Sequence, residues 1–367
     1  MLKIDCIHFP GDRPCDFHKK FGIKCDDCEH YQNIDFKILI IKLDAIGDVL
    51  RTTSILPPLK IKFPQSQITW CTRINAKELF EENEFVNDII FVEDDASERL
   101  ACEEFDLVIN LDTSKYSSSI AALANAKEKI GFVLSSKGYV EPTSKEALEW
   151  LEMSAFDDVK KANQKSYQQI MYDILNIDSK IQTPVLNIQN RSKEKIELKS
   201  AQWNLSSSEK IGLNIGVGTK WPSKGWPIEH WKSLIKELIP ENYDILMLGG
   251  PEEKEKIINL IEEFPQLINT GTDNSIMEFA SIVNMCDVIV TADSFALHVA
   301  TALQKKIIVM FGSTSNTEIY LYGNGEKIVT PKECKCYYKR FCTEDVSCMQ
   351  KITPSIVKEK IDSALKK

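Results

Sequence analysis

Apolar residues in this chain gather in short runs, and nearly every run closes on small or polar residues. The first, FKILIIKL at Phe36–Leu43, reads as a parallel strand covered on both faces rather than an alternating, half-exposed one. Ala45–Gly47 then reads as a turn, and a helix is predicted from Asp48 to about Lys62 despite Pro57 and Pro58. Strands are predicted at Gln67–Cys71, Asp88–Val92 and Leu107–Leu111, with helical patterns between and after them, including Ser117–Ala126. Tyr139–Ile177 is helical and aromatic, whereas Asp178–Glu209 is polar, with little helix or strand signal in places. The alternation then restarts with a strand at Ile211–Ile215, a helix at Ile228–Leu238, a strand at Tyr243–Leu248 and a helix at Glu252–Phe264. From Cys286 to Gly312 the chain reads CDVIVTADSFALHVATALQKKIIVMFG, which predicts strand, turn, short helix and strand; Pro354–Lys366 closes as a helix.

Strands alternating with helices give mostly parallel sheets with helices on both faces. The pattern therefore predicts an α/β protein with a cysteine-rich segment at 1–35, one domain at 36–185 and a second at 186–352. A final helix at 353–367 is expected to pack back toward the first domain. The 367 residues suffice for two cores, and no repeat of fixed period is visible.

Charge narrows the partners. The formal net charge is −9, with no polybasic block, so nucleic acid is an unsuitable ligand. No apolar run has signal-peptide or membrane-spanning length, which points to a cytoplasmic protein.

The strand ends carry the candidate chemistry, because in open α/β sheets ligands bind outside the carboxyl ends of the strands, facing helix N-termini. Asp48, in LDAIGDVLRTTS, stands where a carboxylate could act as general base toward a hydroxyl, or could simply stabilise a helix start. In LNIGVGTKWPSKGW, Gly216, Gly218, Thr219 and Lys220 can present N–H, hydroxyl and ammonium groups to phosphate, and Lys224 adds a point charge. Neither GxxxxGK[ST] nor GxGxxG occurs, which argues against a P-loop and against a dinucleotide-binding first domain. Glu252 and Glu253 follow a strand ending in Gly249 and Gly250; either could take ribose hydroxyls or be a solvated first-turn acid. His298 lies four residues after Ser294 on the same helix face, so Asp293, Ser294 and His298 could meet one polar ligand, with helix capping and core packing as the alternative. Trp221, Trp226 and Trp231 read as packing residues.

Eight of the eleven cysteines form two groups, Cys6, Cys15, Cys25 and Cys28, and Cys334, Cys336, Cys342 and Cys348. Four thiolates on a short, turn-rich segment suit tetrahedral zinc, with iron as the rival metal and reduced thiols as the alternative. The first group includes a CxxC pair, CDDC, with His8, His18 and His30 nearby as substitute ligands or supporting groups; the second has CxC. Cys71, Cys102 and Cys286 are expected to be buried as small hydrophobes.

Together, IIKLDAIGDVLRTT, IGVGTKWPSKGW and the 286–312 segment, in that order, resemble glycosyltransferase family 9, the ADP-heptose heptosyltransferases and their protein-modifying relatives. The resemblance implies a GT-B fold, two Rossmann-like doubly wound domains facing a cleft, with the acceptor on the first and the nucleotide sugar mostly on the second. By position, Asp48 matches the family's base, Lys224 its donor-phosphate lysine, and Asp293 with His298 its sugar and helix-end contacts. Thr219 and Lys220 match the phosphate loop, and Glu252 or Glu253 the ribose acid, in a looser alignment. Phe295 stands where many relatives have glycine, which puts donor identity in question. HFPGDRPC with CDDC, and CKCYYKRFCTEDVSCM, resemble cysteine modules of some family members, including iron-bearing autotransporter heptosyltransferases.

The expected function is inverting, metal-independent transfer of heptose or a related sugar from ADP-heptose or a similar nucleotide sugar. The acceptor is a hydroxyl of a lipopolysaccharide core, another glycan or a protein. Arg51, Arg73 and Lys115 are candidates for docking an anionic acceptor, against the commoner reading of solvated charges. Peripheral membrane contact and homo-oligomerisation stay open. The alternatives are a GT-B nucleotide-sugar epimerase, which needs no acceptor, and a noncatalytic metal-binding adaptor on a transferase scaffold.

Overall fold

The structure, a computed structural model, describes residues 1–94, 96–206, 209–331 and 334–365. The backbone divides into two compact units, Met1–Lys160 with Gln168–Val185, and Lys161–Tyr167 with Leu186–Lys367.

The first 35 residues of the first unit hold little regular structure. They comprise one short helix, α1 (Asp16–Phe21), a 3-10 turn at Cys25–Asp27, and a lone bridge between Cys6 and Asn33. The sheet begins with β1 (Phe36–Ile41), followed by α2 (Ile46–Thr52), α3 (Leu56–Lys62), β2 (Ser66–Thr72) and β3 (Asp88–Phe91). Next come α4 (Ala96–Cys102), β4 (Glu104–Asn110), α5 (Lys115–Leu123), β5 (Asn125–Leu134) and a short antiparallel β6 (Val140–Pro142). Three helices, α6 (Lys145–Ala155), α7 (Asp157–Ala162) and α8 (Tyr167–Ile174), complete the segment. The strand order is β3-β2-β1-β4-β5-β6. Ile38 to Ile41 of β1 have no exposed surface, as a central parallel strand requires.

The second unit repeats the plan. Its elements are α9 (Asn190–Ser200), β7 (Lys210–Asn214), α10 (Ile228–Leu238), β8 (Asp244–Leu248), α11 (Lys254–Glu263) and β9 (Ile268–Asn269). After these come α12 (Ile276–Met285), β10 (Val288–Ala292), α13 (Phe295–Ala302), β11 (Lys306–Phe311), β12 (Gly325–Val329) and α14 (Pro354–Leu365). The order β12-β11-β10-β7-β8-β9 is parallel throughout. Helix α10 buries Trp231, Leu234, Ile235 and Leu238, the i, i+3, i+4, i+7 stripe of an amphipathic helix. Helix α14 belongs to this unit and packs on α10, where the Trp226 indole N–H donates to the Ile352 carbonyl at 2.9 Å. Among the described residues no helix is long and apolar enough to cross a membrane.

Several expected elements differ. The helix predicted from Asp48 to Lys62 is broken by a 3-10 turn at Thr53–Ile55, because Pro57 and Pro58 lack the N–H that would continue it; they sit instead in the first turn of α3. The helix predicted to Ala126 stops at Leu123, and the lysine- and glutamate-rich Asn125–Leu134 pairs with β4 as a half-exposed strand. The polar 178–209 stretch contains α9, whose stability comes from burying Ser192 and Ile196 against α12 rather than from any strong apolar stripe. Cys71 and Cys286 are buried, their thiols pushed up to about 12 by burial, but Cys102 is exposed at the end of α4.

Candidate active site

Each sheet has one point where successive strands leave in opposite directions, between β1 and β4 in the first unit and between β7 and β10 in the second. In open α/β sheets such a switch point opens the ligand crevice.

In the first unit the crevice is lined by the residues that follow β1. Asp48 is the third residue of α2, and its side chain is one-third exposed. One carboxylate oxygen accepts the Ala45 N–H at 3.3 Å, and the other lies 2.8 Å from the Arg51 guanidinium one turn later. Lys42, almost wholly buried, pairs with Asp112 just past β4, and Asp112 also accepts the Leu43 N–H at 2.8 Å. That pair ties the ends of the two strands flanking the switch point. Arg73 is held by both oxygens of Asp44 at 2.9 Å and by Glu93 at 3.5 Å, while Lys115 is exposed at the start of α5. Of the three candidate acceptor cations, Arg51 and Arg73 are therefore engaged with carboxylates of the same unit.

In the second unit, β7 ends in Asn214, whose buried amide donates to the Gly216 carbonyl, Thr291 and Ser294 at 2.8, 3.0 and 3.2 Å. The Ser294 hydroxyl thus faces this network rather than capping α13. Asp293 points elsewhere, with its carboxylate 2.7 Å from the Lys224 ammonium and each side chain about 15% exposed. Burial alone would push the Asp293 carboxyl up. Lys224, His298 and hydrogen bonds from Lys224 and Thr314 outweigh burial and hold it below the ordinary carboxylate range. Lys224, Asp293 and His298 are thus brought together, and Lys224 serves as the counter-ion of Asp293.

The loop from Gly218 to Lys220 is exposed, and Lys220 Nζ sits 5.7 Å from the centre of the Trp221 ring. Trp226 and Trp231 are core residues, but Trp221 is only partly buried. Glu253 is buried and accepts the Gly250 N–H at 3.0 Å; its carboxylate would lie 2.9 Å from a Cβ at Gly216, so a side chain there would push it aside. Glu252 is exposed. Phe295 is half-buried and stacks on Phe279 with ring centres 6.0 Å apart. Sequence reasoning missed Asn214, Thr291 and Thr314; Asn214 and Thr291 carried a signal, a polar residue at the end of an otherwise apolar strand, whereas Thr314 lies in the loop after β11.

Cys6, Cys15, Cys25 and Cys28 line one hollow of about 750 Å³ with His8, His18 and His30. Phe17 stands between two of the imidazoles, 5.0 Å from His8 and 4.0 Å from His30 between ring centres. His18 Nδ1 is 2.9 Å from the Ile23 carbonyl oxygen. In the second group Cys334 and Cys348 have their sulfurs 3.8 Å apart, and Cys336 Sγ accepts the Thr343 N–H at 3.1 Å. Both donor sets suit zinc or iron chemically. Among the described residues, no three His, Cys, Asp or Glu side chains are grouped as a bound metal would hold them.

The model of glycosyltransferase family 9 (heptosyltransferase) matches residues 96–347. Lipopolysaccharide heptosyltransferase 2 of Salmonella typhimurium is 24% identical over 301 residues, covering 76% of this chain and 83% of that protein. Among solved structures, a family 9 glycosyltransferase from Veillonella parvula aligns with a TM-score of 0.77 at 19% identity, over 91% of this chain and 98% of that one. The iron-containing dodecameric glycosyltransferase TibC of enterotoxigenic Escherichia coli aligns with a TM-score of 0.55 at 9% identity, over 91% and 77% of the two chains. At such identities the structural likeness concerns the fold.

Proposed function

The chain belongs to glycosyltransferase family 9, and from that premise we propose that it transfers heptose from ADP-heptose, with inversion, to a hydroxyl of a lipopolysaccharide core. The observation that carries the reading is the buried Lys224–Asp293 pair beside His298, at the β7/β10 switch point. A lysine there supplies charge to a diphosphate, and an ionised carboxylate accepts hydrogen bonds from sugar hydroxyls.

Asp48 acts as the base. The acceptor oxygen attacks the anomeric carbon, its proton passes to the Asp48 carboxylate, and the bond from that carbon to the diphosphate oxygen breaks, releasing ADP. Arg51, 2.8 Å from one Asp48 oxygen, orients the carboxylate. Lys224, Lys220 and the N–H groups of the Gly218–Lys220 loop take up negative charge as the diphosphate leaves, an effect that grows through the transition state. The one exposed acid of the β8 loop, Glu252, serves the ribose, and Glu253 holds the loop.

Lipopolysaccharide is favoured over a protein acceptor by the Salmonella relative, which aligns over most of both chains. The two cysteine groups serve as structural tetrahedral metal sites, supported by four thiols around one hollow and by the Cys334–Cys348 approach. Binding would draw the thiols inward and release protons. Metal analysis of the purified protein, with Cys25→Ser and Cys28→Ser as the control, is expected to show loss of metal and of stability together; full metal content in that variant overturns the first site.

Turnover of ADP-heptose with and without lipopolysaccharide acceptor tests the function. Product without acceptor would favour an epimerase. Asp48→Ala should still bind ADP while transfer falls by about 10² to 10⁴, and near-normal transfer would remove Asp48 from the role of base.

A further inference from the structure

The carboxyl-terminal cysteine segment reaches the strand ends that carry Asp293. β10 lies between β11 and β7, and residues 337–339 bridge the loops that leave those two neighbours. The Tyr338 N–H donates to the Ser313 carbonyl at 2.8 Å, just past β11, and the Ser315 N–H reaches the Tyr338 hydroxyl at 3.4 Å. On the β7 side, the Tyr338 ring meets Trp221 edge to face at 6.1 Å, and the Ser223 hydroxyl donates to the Lys339 carbonyl at 2.7 Å. Between Ser313 and Ser315 stands Thr314, which hydrogen-bonds Asp293. A Cβ at Gly312 would lie 2.6 Å from Cys348 Sγ, so the segment's last cysteine is seated directly on the end of β11.

Tyr338 adopts φ +48°, a left-handed conformation that a bulky residue takes only where its surroundings hold it. Its side chain is partly buried and lies near the Glu318 and Asp293 carboxylates. An aromatic face with a hydroxyl, beside a carboxylate, suits a pyranose: C–H groups against the ring, hydroxyls toward the polar atoms.

We propose that Tyr338 is a donor-binding residue, forming one wall of the subsite that takes the sugar of the nucleotide sugar beside Asp293. This rests on the transferase reading, and it gives the cysteine segment a share in the donor site beyond closing the chain end. ADP lacks the sugar, so Tyr338 should separate the two ligands.

The test measures dissociation constants of ADP and of ADP-heptose for the full-length wild type, Tyr338→Phe and Tyr338→Ala, with melting temperatures as the control for folding. Tyr338→Phe should weaken ADP-heptose by about three- to tenfold, the worth of one neutral hydrogen bond, and leave ADP within about twofold. Tyr338→Ala should weaken ADP-heptose further at unchanged ADP affinity. A raised ratio in Tyr338→Ala alone assigns the contact to the ring and still supports the wall. If the ratio is unchanged in both variants, or ADP and ADP-heptose weaken in parallel, the inference fails. A wild type that binds neither ligand overturns the transferase reading and the inference with it.

Discussion

Lys224 and Asp293 neutralise each other at the site where a diphosphate and a sugar are expected, so substituting one changes the other's charge environment. Lys224→Met strands a mostly buried carboxylate, and we expect a loss of about 1–3 kcal/mol at neutral pH together with weakened ADP binding. The pH dependence has a definite sign. Asp293 titrates below its ordinary value, so its pairing stabilises fully above about pH 4, and that contribution is lost as pH falls through the lowered value. Urea denaturation should therefore show the wild-type advantage over Lys224→Met shrinking between about pH 5 and about pH 3; a constant gap would mean that Lys224 stabilises by packing alone. Lys42 makes the parallel case in the first unit. Lys42→Met removes the cation paired with Asp112, which keeps the Leu43 N–H, and should cost about 3 kcal/mol in chemical denaturation, the low end for a broken buried pair.

At the scale of elements, the strand ends explain the site. β10 and β7 were legible as apolar runs, and their terminal Asp293 and Asn214 were legible as polar residues, but their separate directions were not. Asn214 draws Ser294 and Thr291 into one network, while Asp293 turns to Lys224, because each side chain follows the partner that tertiary packing offers. Strand β5 and helix α9 escaped sequence reading for a related reason: both are polar, and both are held by neighbours, β4 and α12, rather than by their own periodicity. The Gly216 contact with Glu253 likewise joins the loops after β7 and β8. Gly216→Ala should displace the Glu253 carboxylate and lower both the melting temperature and ADP affinity, measurable by thermal shift with and without nucleotide; an unchanged nucleotide-induced shift would show that this loop pair does not shape the ligand site.

Over the whole molecule, the same doubly wound plan is built twice, and one copy carries the proposed donor residues while the other carries Asp48, the proposed base. ADP-heptose at about 100 times its dissociation constant should stabilise by about 2.7 kcal/mol. Hydrogen exchange should show that protection concentrated in the amides around β7, β10 and α13; protection spread evenly over the first sheet would contradict the assignment of the donor to the second. By itself the sequence determined the fold class, the two sheets and the ordered motifs, because strand burial and helix amphipathy are written in residue periodicity, which needs no knowledge of distant neighbours. Only the tertiary structure decided that Lys224 belongs to Asp293 and that Tyr338 of the cysteine segment stands near Asp293. Those pairings join residues whose meeting depends on how strands, loops and the carboxyl-terminal segment pack, and local sequence carries no record of that geometry.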